Sequence, residues 1–190
     1  MSVATATPVR RLALEPKSGI YKGLILGLFI PCNLIGLGLA CVGLVMLGGP
    51  ADAQKMARSF LMPGLAVMAL AGIAMLVLVY KMWAAIQDGP ASQTPGQAVG
   101  MLFMPFVNLV WQFFTFRGWM KEYNRYLDER NLDLPRMPVG LATTMCVFNV
   151  LCAIPILGVL FALVNFVIVI CFINAACNGI NRLAEVSQRD

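Results

Sequence analysis

The chain has 190 residues, of which 59% are hydrophobic and only 12% charged, with a formal net charge of +5. A soluble domain carries about 25% charged residues, so this composition excludes an ordinary aqueous globular fold. Histidine is absent, which removes the commonest metal ligand, haem ligand and neutral-pH general base.

The charges are also clustered. Residues 23–51, 60–80, 98–116 and 139–181 contain none, and a helix needs about 20 apolar residues to cross a bilayer core roughly 30 Å thick. Long unbroken apolar runs differ from the alternating stretches of about ten residues that build a membrane β-barrel. The expected fold is an all-α polytopic helical membrane bundle with five apolar segments, four crossing and one either dipping or crossing.

In chain order, residues 1–19 read as a flexible N-terminal tail, and residues 20–187 as a single helical transmembrane domain. The first segment is predicted over about 21–47, ended by Gly48, Gly49 and Pro50. Its small residues Gly27, Gly36, Gly38, Ala40 and Gly43 mark a close-packing helix face. After a linker over 51–57, the second segment is predicted over about 58–87, with Lys81 and Trp83 at its interfacial end. The stretch DGPASQTPG, residues 88–96, has turn composition. A third segment over about 97–116 is interrupted by Pro105, Asn108 and Gln112, so it either crosses or dips and returns. Residues of about 117–131 place Trp119, Met120, Tyr123, Tyr126 and Leu127 opposite Lys121, Glu122, Arg125, Asp128 and Glu129. That spacing predicts an amphipathic helix at the headgroup surface, with Trp119, Lys121, Arg125 and Tyr126 as interfacial contacts. The last apolar stretch suffices for two segments, about 139–154 and 156–178, with a tight turn at Ile154-Pro155 near Gly158.

Positive residues in short loops favour the cytoplasm. If the third segment dips, twelve of the 14 Lys and Arg residues share the cytoplasmic side with the N-terminus and only Lys55 and Arg58 lie opposite.

No acidic residue lies inside an apolar segment, against a proton-coupled pump. The six cysteines all lie in apolar segments and read as small buried hydrophobes. The informative polar residues are the intramembrane candidates Asn33, Pro105, Asn108, Gln112, Asn149, Asn165 and Asn174. An amide in hydrocarbon needs a partner, so these either pair across helices or line a ligand site or permeation path. Pro31 and Pro105 each precede an amide closely, and a proline frees a carbonyl one turn earlier, which such an amide can satisfy.

From Lys81 to Tyr126 the motifs are a Trp-bearing helix (Trp83), Thr94-Pro95-Gly96 with Ala98-Val99-Gly100, then Pro105 through Asn108-Leu109 and a basic amphipathic helix. In these residues the chain resembles the bacterial membrane proteins of the domain-of-unknown-function 4328 family, departing from it at Gln97 and Gln112. The resemblance implies no catalytic role. The expectation is a non-enzymatic protein of the bacterial inner (cytoplasmic) membrane, without cofactor or metal and without nucleic-acid partners. It would contact lipids and serve as an accessory subunit of a membrane complex; the alternative is a small-solute channel or transporter.

Overall fold

The computed structural model describes residues 17–89, 91–152, 154 and 157–189, except the side chains of Pro105, Leu157, Val159 and Leu160. Every regular element among the described residues is helical. Three helices are long and apolar enough to cross a membrane, and a further apolar helix is shorter, as in a helical membrane protein.

Helix α1 (Lys22–Leu47) and helix α2 (Ala51–Ala84) form an antiparallel hairpin. The turn between them is three residues long. The linker expected over 51–57 is helical instead: Pro50 stands at the N-cap, Asp52 lies in the first turn, and Ala, Gln, Lys and Met all favour helix. The two helices approach through Gly36, Gly43 and Gly64. A Cβ on Gly64 would lie 2.9 Å from both the Ala40 amide nitrogen and the Gly36 carbonyl oxygen. Gly27 and Gly38, expected on the same face, meet nothing within 4 Å. Large apolar side chains such as Leu34, Ile35, Val42, Leu44 and Val45 are exposed, as a lipid-facing surface requires.

The third apolar segment is not one helix. It comprises α3 (Pro95–Gly100), a 3-10 turn over Met101–Phe103, α4 (Pro105–Gln112) and a π-turn over Phe113–Arg117 that runs into α5 (Gly118–Glu129). Thr94 caps α3 by accepting from the Gln97 N–H at 3.2 Å, with Pro95 in the first turn. The break falls at Met104, whose extended backbone (φ −85°, ψ 111°) is what a following proline imposes. The chain then doubles back. Ser92, before the segment, donates its N–H to Glu122, after it, at 2.9 Å, and the Trp119 indole N–H donates to the Met82 carbonyl near the end of α2 at 2.5 Å.

Helix α6 (Val139–Leu151) and helix α7 (Leu157–Ser187) close the bundle. The break between them falls where the Ile-Pro turn was expected, although Pro155 itself, like residues 1–16 of the expected tail, lies outside the described residues. Gly158 permits the tight reversal, since a Cβ there would meet the Cys152 carbonyl oxygen at 2.3 Å. Helix α7 continues well past Asn178, because Leu183, Ala184 and Ser187 keep a buried face beyond the apolar stretch.

Candidate functional site: an amide-lined cavity

Five of the seven amide and proline positions singled out from sequence converge. Asn33 of α1, Asn108 and Gln112 of α4, Asn149 of α6 and Asn165 of α7 line one cavity of about 630 Å³. Its remaining wall is apolar, including Phe29, Met68, Met75, Leu102, Met145 and Phe166. Pro105 opens α4, its side chain being outside the description. Asn174 is exposed away from the cavity: nine residues at 100° each turn it half a revolution from Asn165.

The cavity lies well along the length of the bundle and opens on its flank, where Gly72 and Leu109 are exposed. Lys22 donates to Asn178 at 3.3 Å, which sets α1 and α7 at a common level. From there Asn33 and Asn165 stand eleven and thirteen residues along their helices, roughly 17–20 Å at the ordinary helical rise.

The amides form a directed relay. Gln112 donates its side-chain NH2 to the Leu109 carbonyl at 3.2 Å. That group can only accept, so the orientation of the Gln112 amide follows, and its Oε1 receives the Asn149 NH2 at 2.9 Å. The Asn149 Oδ1 in turn receives the Asn165 NH2 at 2.6 Å. The relay therefore ends on an acceptor, the Asn165 Oδ1, which is buried without a hydrogen-bond partner among the described residues. The Asn108 amide makes no hydrogen bond among them either. Asn33 donates to the Phe29 carbonyl at 2.8 Å, its own preceding turn, rather than to the Gly27 carbonyl that Pro31 frees.

Above the cavity, at the end where α2 stops and α6 begins, sits a polar cluster not foreseen from sequence. The Asp88 carboxylate receives Lys17 Nζ at 2.5 Å and the Tyr126 hydroxyl at 2.9 Å, and pairs with Arg130 at 3.5 Å. The Lys17 and Asp88 side chains are each only 7% exposed. Burial raises the Asp88 pKa, but the Lys17 and Tyr126 hydrogen bonds and the Lys17 charge outweigh it, so the carboxyl sits below its ordinary value. Residues 17–20 are consequently fixed rather than loose. The Lys17 N–H donates to Ser187 Oγ at 3.1 Å and the Ile20 N–H to Asn181 Oδ1 at 2.7 Å. The Tyr126-x-x-x-Arg130 spacing, one helical turn, was the available signal.

Of the expected headgroup contacts, Lys121 and Arg125 are exposed, Arg125 pairing with Glu129 at 2.9 Å. Trp119 and Tyr126 are not at a headgroup surface. They are buried with Met120, Tyr123 and Leu127, because the apolar face of α5 packs onto this chain's own bundle instead of lipid. Trp83 is likewise in the core rather than in an interfacial belt. Among the described residues no three His, Cys, Asp or Glu side chains gather to hold a metal ion. No protein-family model matches this chain, and no curated protein or solved structure matches it either.

Proposed function

We propose that this is a bacterial inner-membrane protein that works by binding rather than chemistry, taking up a small solute in the amide-lined cavity as a channel or carrier does. The observation that supports it is the convergence of Asn33, Asn108, Gln112, Asn149 and Asn165 on one cavity. Isolated packing amides would pair off two by two at separate helix contacts. Interrupted helices line the substrate sites of many transporters, and the break at Met104 brings Asn108 and Gln112 to this one. In this reading four segments cross, residues 95–117 dip and return, and the Asp88 end faces the cytoplasm with the N-terminus. No acid, base or nucleophile pair lines the cavity, so no enzymatic role is assigned. Membership of the domain-of-unknown-function 4328 family is proposed on the Thr94–Leu109 motifs.

The accessory-subunit role draws on a different surface, the exposed apolar flank of α1 at Leu34, Ile35 and Val42, since the apolar face of α5 is already occupied. A protein that co-purifies stoichiometrically and is lost on substituting those three residues would favour it.

The test uses single cysteines in a cysteine-free chain. Ser92→Cys and Asn131→Cys should be shielded together from an impermeant thiol reagent in intact cells, and Asn108→Cys should react with a small water-soluble reagent far faster than lipid-facing Leu44→Cys. Opposite accessibility of the first pair sinks the dipping topology; equal inertness of the second pair sinks the water-accessible cavity.

A further inference from the structure

The relay and the walls of the cavity together specify more than a vacant space. We infer that the cavity receives an uncharged amphipathic molecule whose hydroxyl or N–H group donates to Asn165 Oδ1 while its apolar body lies against Phe29, Met68, Met75 and Phe166. This rests on the binding reading above and names the chemistry of its ligand.

The polarity of the site carries the first half. Because the Leu109 carbonyl fixes the Gln112 amide, the direction of all three amides follows, and the acceptors of Gln112 and Asn149 are consumed within the relay. Within the relay the one oxygen that receives nothing is Asn165 Oδ1, on a residue 9% exposed and without a hydrogen-bond partner among the described residues, while each relay NH2, bonded once, keeps a second N–H. A buried amide oxygen with no donor at all is costlier than an NH2 already bonded once, so a donor is what the site lacks first, and a hydroxyl can give one while accepting from a spare amide N–H. Asn108, one turn before Gln112 on α4 and without a side-chain hydrogen bond among the described residues, can accept or donate to a second polar atom of the same head group.

The charge of the site carries the second half. None of the lining residues is acidic or basic, so an ammonium or carboxylate would enter without a counter-charge. A bare metal cation needs about six to eight oxygen ligands, and the lining offers three uncommitted side-chain amide oxygens among the described residues, those of Asn33, Asn108 and Asn165. Neutral molecules are the class that loses least on entry. A space of about 630 Å³ holds about 20 non-hydrogen atoms at ordinary packing density, enough for a polar head and a hydrocarbon or ring body.

The experiment photolabels the full chain in phosphatidylcholine vesicles with four diazirine probes on one alkyl skeleton: a primary alcohol, its methyl ether, the carboxylate and the ammonium. Labelled peptides are mapped by mass spectrometry, with unlabelled alcohol as competitor. The expected result is saturable labelling by the alcohol on the segments carrying Met145 and Phe166, at least tenfold above the ether and both ions. Asn165→Leu should erase that preference, whereas Asn174→Leu, on the same helix but outside the cavity, should keep it. Equal labelling of the cavity by alcohol and ether overturns the donor inference while leaving a binding cavity. Preference for either ion overturns the neutral-ligand inference. No saturable labelling of the lining residues by any probe overturns both this inference and the binding reading. The alcohol-to-ether ratio is read on the unsubstituted protein, so the outcome does not hang on whether Asn165→Leu folds.

Discussion

Substituting Asp88 by Asn removes the charge that joins three parts of the chain: residue 17 before α1, the turn after α2, and the end of α5. The carboxylate is almost wholly buried and holds Lys17 at 2.5 Å, Tyr126 at 2.9 Å and Arg130 at 3.5 Å. Breaking a buried ion pair by removing one partner costs about 3–5 kcal/mol. Here Lys17 keeps the Ala85 carbonyl at 2.7 Å and Arg130 keeps the Asp88 backbone carbonyl at 2.7 Å, so the expected loss is at the lower end, about 3 kcal/mol. The assay is reversible unfolding in mixed detergent micelles titrated with a denaturing detergent, run beside Lys17→Met and the double variant. The single losses should exceed their share of the double by about 1–2 kcal/mol, as coupled neighbours do. Acid should mimic the substitution. The folded carboxyl has a lowered pKa, so its contribution is complete above the ordinary carboxylate range and is lost as the pH falls below that range through the lowered folded value; Asp88→Asn should lack that acid limb. A loss below about 1 kcal/mol with helix content unchanged would refute the reasoning, since a buried pair broken on one side cannot be that cheap.

Gly64→Ala should cost about 1–3 kcal/mol by overpacking, because its Cβ would press on two backbone atoms of α1 that cannot rotate away; Gly72→Ala, with nothing within 4 Å, should be silent in the same titration. Asn149→Leu breaks two relay bonds and should cost about 1–3 kcal/mol at the strength of such bonds in membranes, against almost none for exposed Asn174→Leu; equal losses would contradict the relay. Trp119→Phe removes the donor to the Met82 carbonyl and should cost about 1–3 kcal/mol, seen as a lower unfolding midpoint and faster proteolysis after Arg117.

The helical class and the breaks at Gly48–Pro50, Pro105 and Gly158 were legible because each follows from chain-local chemistry: apolar length, proline sterics and glycine permissiveness. The candidate amides were legible as a set, since any amide in an apolar run must be satisfied. Asn174 could have been set apart from Asn165 by helical phase alone. The destination of the apolar face of α5 was not legible. A stripe of Trp119, Tyr123 and Tyr126 has the same pattern whether it meets lipid or protein, and only the doubling back of residues 95–117 decides between them. Asp88 was hidden for the converse reason, its composition saying turn while its partners Lys17 and Arg130 stand 71 and 42 residues away.

The packing of α1 bears on the order in which the molecule assembles. Its glycine-mediated contacts are chiefly with α2, the next element to leave the ribosome, so this hairpin can form while the remainder is still being made. The tail is different: Lys17 and Ile20 are bonded to Ser187 and Asn181, on helix α7, which is made well after α1. The segment before α1 and the end of α7 therefore meet only after α7 has been made. Asn165 joins the relay equally late, so until α7 inserts, Asn149 waits in the bilayer with its acceptor unfilled.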